Sequence, residues 1–152
     1  MNTDGARDPK DGYRSCGGVA RNDKGEWFTG FARAVGTCTV LEAELWGVLE
    51  GLSHAWNLDA RQVIIELDNM EACKLVSQRQ QKHTNPVILQ HIQEWLNKGW
   101  EVSFNQVKSQ ANRQADNITK LVQKNDFLGR SYHSAPIAVH ALLHEDMLDL
   151  VR

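Results

Sequence analysis

The sequence predicts a mixed α/β domain with one sheet flanked by helices, and three observations predict it. Two strand-like stretches joined by a tight turn open the chain. A long run of apolar residues at helical spacing follows. After that, short strand-like segments alternate with amphipathic helices, the pattern of a sheet covered by helices.

Residues 13–34 read as a β-hairpin, because residues 16–21 lead into Asn22-Asp23-Lys24-Gly25, a turn with glycine where a positive φ is useful, and residues 27–34 resume as strand. Leu41, Leu45, Val48, Leu49, Leu52 and Trp56 then recur at helical spacing, giving an amphipathic helix of about four to five turns that stops near Asn57. Val63-Ile64-Ile65-Glu66-Leu67 is short, β-branched and mostly apolar, as a buried strand requires. A helix over 70–77 and a polar run over 78–85 follow. Pro86 opens the next helix, with Ile88, Ile92 and Trp95 as its buried stripe. Residues 102–107 alternate as a strand, and a helix spans 112–124. Beyond Pro136, Val139, Leu142, Leu143 and Met147 mark one more short amphipathic helix.

The 152 residues suit one ordinary domain. A hydrophobic fraction of 41% and a charged fraction of 24% are those of a soluble globular protein. No apolar run approaches the roughly 20 residues of a membrane-spanning helix, and Met1-Asn2-Thr3-Asp4 has no secretory character. Cys16, Cys38 and Cys73 are odd in number and widely spaced, so they read as reduced packing thiols in the cytoplasm or nucleus. The net charge of −2 does not announce nucleic-acid binding, although a basic groove can be local and an acidic centre masks it in the sum.

Four acids stand at informative places. Asp4 precedes Gly5, where a backbone or ligand can approach closely. Asp68 follows the 63–67 strand, and sites in α/β sheets collect at strand ends, though capping the next helix is an equal alternative. In Thr39-Val40-Leu41-Glu42, Glu42 completes a capping box. That assigns Glu42 a structural role and leaves Glu44, at the margin of the apolar stripe, for either solvent or a site. Asp116 lies in the first turns of the last main helix, where the macrodipole alone favours an acid.

Taken together, the pieces resemble ribonuclease H, most closely the plant ribonuclease H-like domains found beside reverse transcriptases. The resemblance rests on Asn2-Thr3-Asp4-Gly5-Ala6; Gly17-Gly18-Val19-Ala20-Arg21 with Gly25; Leu41-Glu42-Ala43-Glu44-Leu45; Glu66-Leu67-Asp68-Asn69; and Ala111-Asn112-Arg113 with Ala115-Asp116. It implies a ribonuclease H-like fold, a five-stranded mixed sheet ordered 3-2-1-4-5, in a domain over 1–124 followed by a C-terminal extension over 125–152. It further implies that Asp4, Glu44, Asp68 and Asp116 bind two Mg²⁺ ions, with Mn²⁺ as a substitute, for hydrolysis of the RNA strand of an RNA–DNA hybrid. The sequence does not fix the oligomeric state, and a monomer is the expectation. Hard cations take oxygen ligands, and a metal pair can acidify the attacking water while stabilising the leaving oxygen.

The sequence departs from that pattern at Gln106. The family commonly has histidine there, ten residues before the last Asp, for proton transfer or product release. Glutamine hydrogen-bonds but does not titrate near neutrality, so reduced turnover follows, or a hybrid-binding module with little catalysis. A nuclease of the same fold acting on other nucleic acids is a third reading. The chain also starts only three residues before Asp4, which suggests a piece of something longer. Lys74, Arg79, Lys82 and Arg113 are candidate phosphate contacts, each equally readable as solvated surface. His83 and His91 have no connection to the site, and the Asn117-Ile118-Thr119 sequon is discounted because it falls within a helix.

Overall fold

The computed structural model describes residues 1–78, 86–140, 142 and 144. The elements run β1 (Asn2–Arg7), β2 (Arg14–Arg21), β3 (Trp27–Gly36), α1 (Val40–Asn57), β4 (Gln62–Leu67), α2 (Met70–Gln78), α3 (Ile88–Leu96) and β5 (Glu101–Gln106). A 3₁₀ turn over Ser109–Asn112 leads into α4 (Arg113–Thr119), and a short β6 (Arg130–Tyr132) follows. The sheet order is β5-β4-β1-β2-β3-β6. β1, β2, β3 and β6 pair antiparallel, while β4 runs parallel to both β1 and β5.

Local chemistry explains the hairpin and the long helix. Asn22 Oδ1 accepts from the amides of Lys24 at 3.0 Å and Glu26 at 2.9 Å, and Gly25 takes φ 79°, a conformation without strain only for glycine. At the start of α1, the Glu42 amide donates to Thr39 Oγ1 at 3.1 Å while Glu42 Oε1 accepts from the Thr39 amide at 3.4 Å. This reciprocal pair satisfies two amides that the first turn leaves without partners.

Helices α1, α2 and α3 cover one face of the sheet. Their core includes Leu45, Val48, Leu52, Ile65, Leu67, Val76, Leu89 and Ile92, each burial worth roughly 1.5–3 kcal/mol. Among the described residues the other face is covered by a helix only over its antiparallel half, where Ile118 of α4 packs on Val19 and Ala32. Two glycines bring α1 against β1: a Cβ on Gly5 would stand 2.7 Å from the Ala43 carbonyl carbon, and one on Gly47 would stand 2.9 Å from the Asp4 carbonyl oxygen. No other residue fits either position without moving backbone.

The structure corrects the expected architecture in three places. The five expected strands are present in the expected order, but β6 adds a sixth on the free edge of β3. The 63–67 strand is buried on one face only: Ile64 is 52% exposed, because α4 does not reach β4. α4 ends at Thr119 rather than near 124. Ser15 Oγ donates to the Thr119 carbonyl at 3.0 Å, and Leu121 N bonds back to Ile118 at 3.1 Å in a tighter turn. Of the tail helix, His140, Leu142 and His144 are helical and Val139 is buried, while Leu143 and Met147 lie outside the described residues.

Candidate active site

Three elements meet around Asp4. The residue sits midway along β1, and the register that pairs Asn2 with Glu66 of the parallel β4 brings the residue after that strand, Asp68, level with it. The Gly5–Ala43 contact sets Glu44 beside the same point. One ligand oxygen from each of Asp4, Glu44 and Asp68 lies within 4.8 Å of the others. Asp4 and Glu44 are 4% and 5% exposed.

Asp68 does not cap α2. Asn69 Oδ1 accepts from the Ala72 amide at 2.9 Å and is the cap of α2, so the Asp68 carboxylate is free of that duty. It accepts a hydrogen bond from the Ser109 side chain instead. Glu44 likewise parts from Glu42: the latter closes the capping box, and the former points into the carboxylate group.

Asp116 stands just outside the tight trio, on α4. It is hydrogen-bonded to Asp4, and its Oδ2 also accepts from Lys120 Nζ at 2.9 Å. Its placement depends on a residue that the sequence did not single out as functional. Asn112, 1% exposed, donates through Nδ2 to the Thr3 carbonyl at 2.8 Å and accepts from Asn2 Nδ2 at 3.1 Å. Arg21 in turn donates to Asn2 Oδ1 at 2.9 Å. This buried relay bonds the start of α4 to the strand that carries Asp4. The clue in the sequence was that Asn2 and Asn112 both stand within the quoted motifs.

The electrostatics are those of crowded acids whose one cationic partner among the described residues, Lys120, reaches only Asp116. Burial, then Glu44, Asp68 and Asp116, pushes Asp4 up to about 9. Burial and Asp68 push Glu44 up to about 7, opposed by hydrogen bonds from Asp4 and from the Gly5 amide. Asp68 is also raised, chiefly by burial. Glu44 Oε2 is buried with no hydrogen-bond partner among the described residues. A buried carboxylate oxygen without a donor is what a cation ligand looks like before the cation is considered.

The remaining expected residues fall elsewhere. Gln106 ends β5 beside Leu67, exposed, one residue from the level of Asp68. Lys74 is exposed on α2, and Arg79, Lys82 and His83 lie outside the described residues. Arg113 donates to the Gln110 carbonyl at 3.1 Å, and His91 lies 3.8 Å from Glu94 on the surface. Asn117 Nδ2 donates to the Arg113 carbonyl at 2.9 Å within α4. Cys16, Cys38 and Cys73 are free thiols, and among the described residues no helix is long and apolar enough to cross a membrane. A cavity of about 1050 Å³ over the open face of β4 and β5 touches none of the four acids.

Comparison with known proteins agrees with this geometry. The reverse transcriptase-like family model matches residues 2–122. An Arabidopsis thaliana protein named, provisionally, a ribonuclease H protein is 33% identical over the whole chain, which spans 25% of that relative's length. The N-terminal ribonuclease H domain of a Mycobacterium tuberculosis protein superposes with a TM-score of 0.69 at 21% identity, covering 78% of this chain and 87% of that one. Ribonuclease H1 from the archaeon Halobacterium salinarum gives 0.64 at 19% identity, covering 76% and 89%. LC11 ribonuclease H1, solved with an RNA/DNA hybrid, gives 0.69 at 17% identity, covering 80% and 93%. With its fold, its carboxylates and these likenesses in agreement, the chain belongs to the reverse transcriptase-like family and is a domain of the ribonuclease H type.

Proposed function

We propose that the chain is a metal-dependent endonuclease that hydrolyses the RNA strand of RNA–DNA hybrids. The single observation that carries this reading is the meeting of Asp4, Glu44 and Asp68 within 4.8 Å. The donor set fits divalent cations, since it is all oxygen and holds an orphaned, buried Glu44 Oε2. Asp4, Glu44, Asp68 and Asp116 are the residues that would hold two Mg²⁺ ions, with Mn²⁺ as substitute. When bound, such ions supply Lewis acidity toward water and toward the leaving oxygen of a phosphodiester.

The chain's own residues do the rest. Asn112 and the Gly5–Ala43 contact keep the four acids in one place before any ligand arrives. Ser109 orients Asp68, and Lys120 bonds to Asp116 at the rim. The nuclease is residues 1–124, and residues 125–152 form an extension that reinforces the β3 edge through β6.

A second reading, a hybrid-binding module with weak catalysis, is favoured by Gln106, which cannot carry a proton near neutrality. One assay decides. The protein is incubated with Mg²⁺ or Mn²⁺ and labelled hybrid, double-stranded RNA, single-stranded RNA or DNA, with Asp68→Asn as control. Cleavage of the RNA strand of the hybrid, lost in the control, is the expected result. Saturable hybrid binding without cleavage would establish the second reading, and cleavage of another substrate alone would reassign the enzyme.

A further inference from the structure

Strand β3 is rich in aromatic and β-branched residues, Trp27, Phe28, Thr29, Phe31 and Val35, with Arg33 as its one charge and no proline. Such a strand, left at the edge of a sheet, is a template for another chain, because its outward amides and carbonyls have no partners of their own. In this fold it is not left there. The chain from Asp126 doubles back as a strap, and β6 pairs antiparallel with Gly30, Phe31 and Ala32. The strap lies beyond residue 122, where the family match ends.

Three residues of ladder hold a strand weakly, and the strap has clasps at both ends. Ahead of β6, the Ala34 amide donates to the Asp126 carbonyl at 2.9 Å. The Asp126 carboxylate closes the turn that follows, accepting from the Gly129 amide at 3.1 Å and from Arg130 Nε at 3.0 Å. Gly129 takes φ 80°, and a Cβ on it would stand 2.8 Å from Arg33 Cβ and 2.9 Å from the Ala32 carbonyl oxygen, so only glycine lets the turn lie against β3. At the far end Trp27 Nε1 donates to the Tyr132 carbonyl at 3.1 Å. A further bond reaches α1. His54 Nδ1 lies 2.8 Å from the Glu50 carbonyl, which can only accept, so in the neutral ring Nδ1 carries the proton and Nε2 accepts from Ser131 Oγ at 3.4 Å.

We propose that the strap is an edge guard, occupying a β3 edge that otherwise pairs two copies of this chain into one continuous sheet. A second copy is the partner that this edge fits, because antiparallel pairing about a two-fold axis matches a strand with itself, residue i on j and j on i. The only charge on the strand is neutralised within each copy, Arg33 Nη1 lying 2.8 Å from Glu50, so like charges do not oppose the pairing. Phe28, 58% exposed on β3, is an apolar side chain that the pairing would cover.

The test uses the full chain and does not depend on its activity. Gly129→Val forces the strap off β3, and Asp126→Ala opens the clasp by a second route, so loss of folding in one variant leaves the other to report. Molar mass is measured by size-exclusion chromatography with light scattering over a wide range of protein concentration, and hydrogen exchange is followed at the Ala34 amide. Wild type is expected to stay monomeric, and each variant to double in mass as concentration rises. In dilute solution the Ala34 amide of the variants exchanges about tenfold faster than in wild type, and its protection returns in the dimer. Adding Phe28→Lys, a charge on the uncovered strand, returns either variant to the monomer.

A wild-type dimer, variants that remain monomers at every concentration, unchanged Ala34 protection in both, or a dimer indifferent to Phe28→Lys would each overturn the proposal. Growth past two copies would do so too, since edges paired about a two-fold axis close at the dimer. So would unfolding of both variants, because a guard is separable from the domain that it covers.

Discussion

Asn112 Nδ2 donates to the main-chain carbonyl of Thr3 at 2.8 Å, joining the helix that carries Asp116 to the strand that carries Asp4. Truncation to alanine takes the Asn112 partner from that carbonyl and from Asn2 Nδ2, which keeps its 3.4 Å bond to the Ala111 carbonyl. Asn112→Ala is expected to lose about 1–3 kcal/mol of stability, the cost of removing one partner from a buried polar group. Urea denaturation measures the loss. Metal affinity should fall with it, and a variant of wild-type stability would show that the relay carries no weight.

Metal-free stability should fall as pH rises. Asp4 and Glu44 have folded-state pKa values above their unfolded ones, so the folded chain holds more protons than the unfolded chain between about 4 and about 9. The stability this confers is complete below the unfolded values and is lost as pH climbs through the folded ones. In EDTA the melting temperature should therefore decline from pH 5 to pH 9. Asp4→Asn should flatten the decline and melt higher at pH 8 by roughly 4–8 °C, corresponding to about 2 kcal/mol. Mg²⁺ should restore the wild type most at the alkaline end. Differential scanning fluorimetry reads all three, and a rising EDTA profile would contradict the burial argument.

The two glutamates of α1 should separate cleanly. Glu44→Gln is expected to reduce cleavage at least a hundredfold and to weaken metal binding in calorimetry. Glu42→Gln should leave the cleavage rate intact and lower stability by at most about 1 kcal/mol, the scale of a helix cap. Equal effects of the two substitutions would mean that the helix, and not the carboxylate, matters.

Gln106 gives the pH–rate profile its shape. Without a titrating side chain there, the rate between pH 5.5 and 7.5 should show no ionisation of the histidine type. Gln106→His should introduce one near the usual value of about 6.5 and raise turnover at least tenfold. A profile unaltered by that change would place proton transfer elsewhere.

Legibility in the sequence followed the range of each interaction. α1 was readable because its apolar period and its Thr39–Glu42 box are local, and separating Glu42 from Glu44 needed nothing more. Asp4 and Asp68 were readable from strand placement and motif. Asp116 was harder, since its alignment depends on a bond from Asn112 to a residue 109 positions away. The strand at Arg130–Tyr132 was missed because three residues offer no period, and its pairing with Gly30, Phe31 and Ala32 exists only once β3 has a free edge.

The contact of Gly5 with Ala43 has a further meaning. Because backbone rests on backbone there, α1 cannot slide inward, and the cap at Thr39 resists its fraying outward. Crowded acids in a softer protein could relieve themselves by drifting apart. Here the distance is fixed by hard contact, so the only adjustable quantity is occupancy by positive charge. If the proposed cations leave, such a site should gather protons rather than open, behaving as an ion exchanger with a rigid frame.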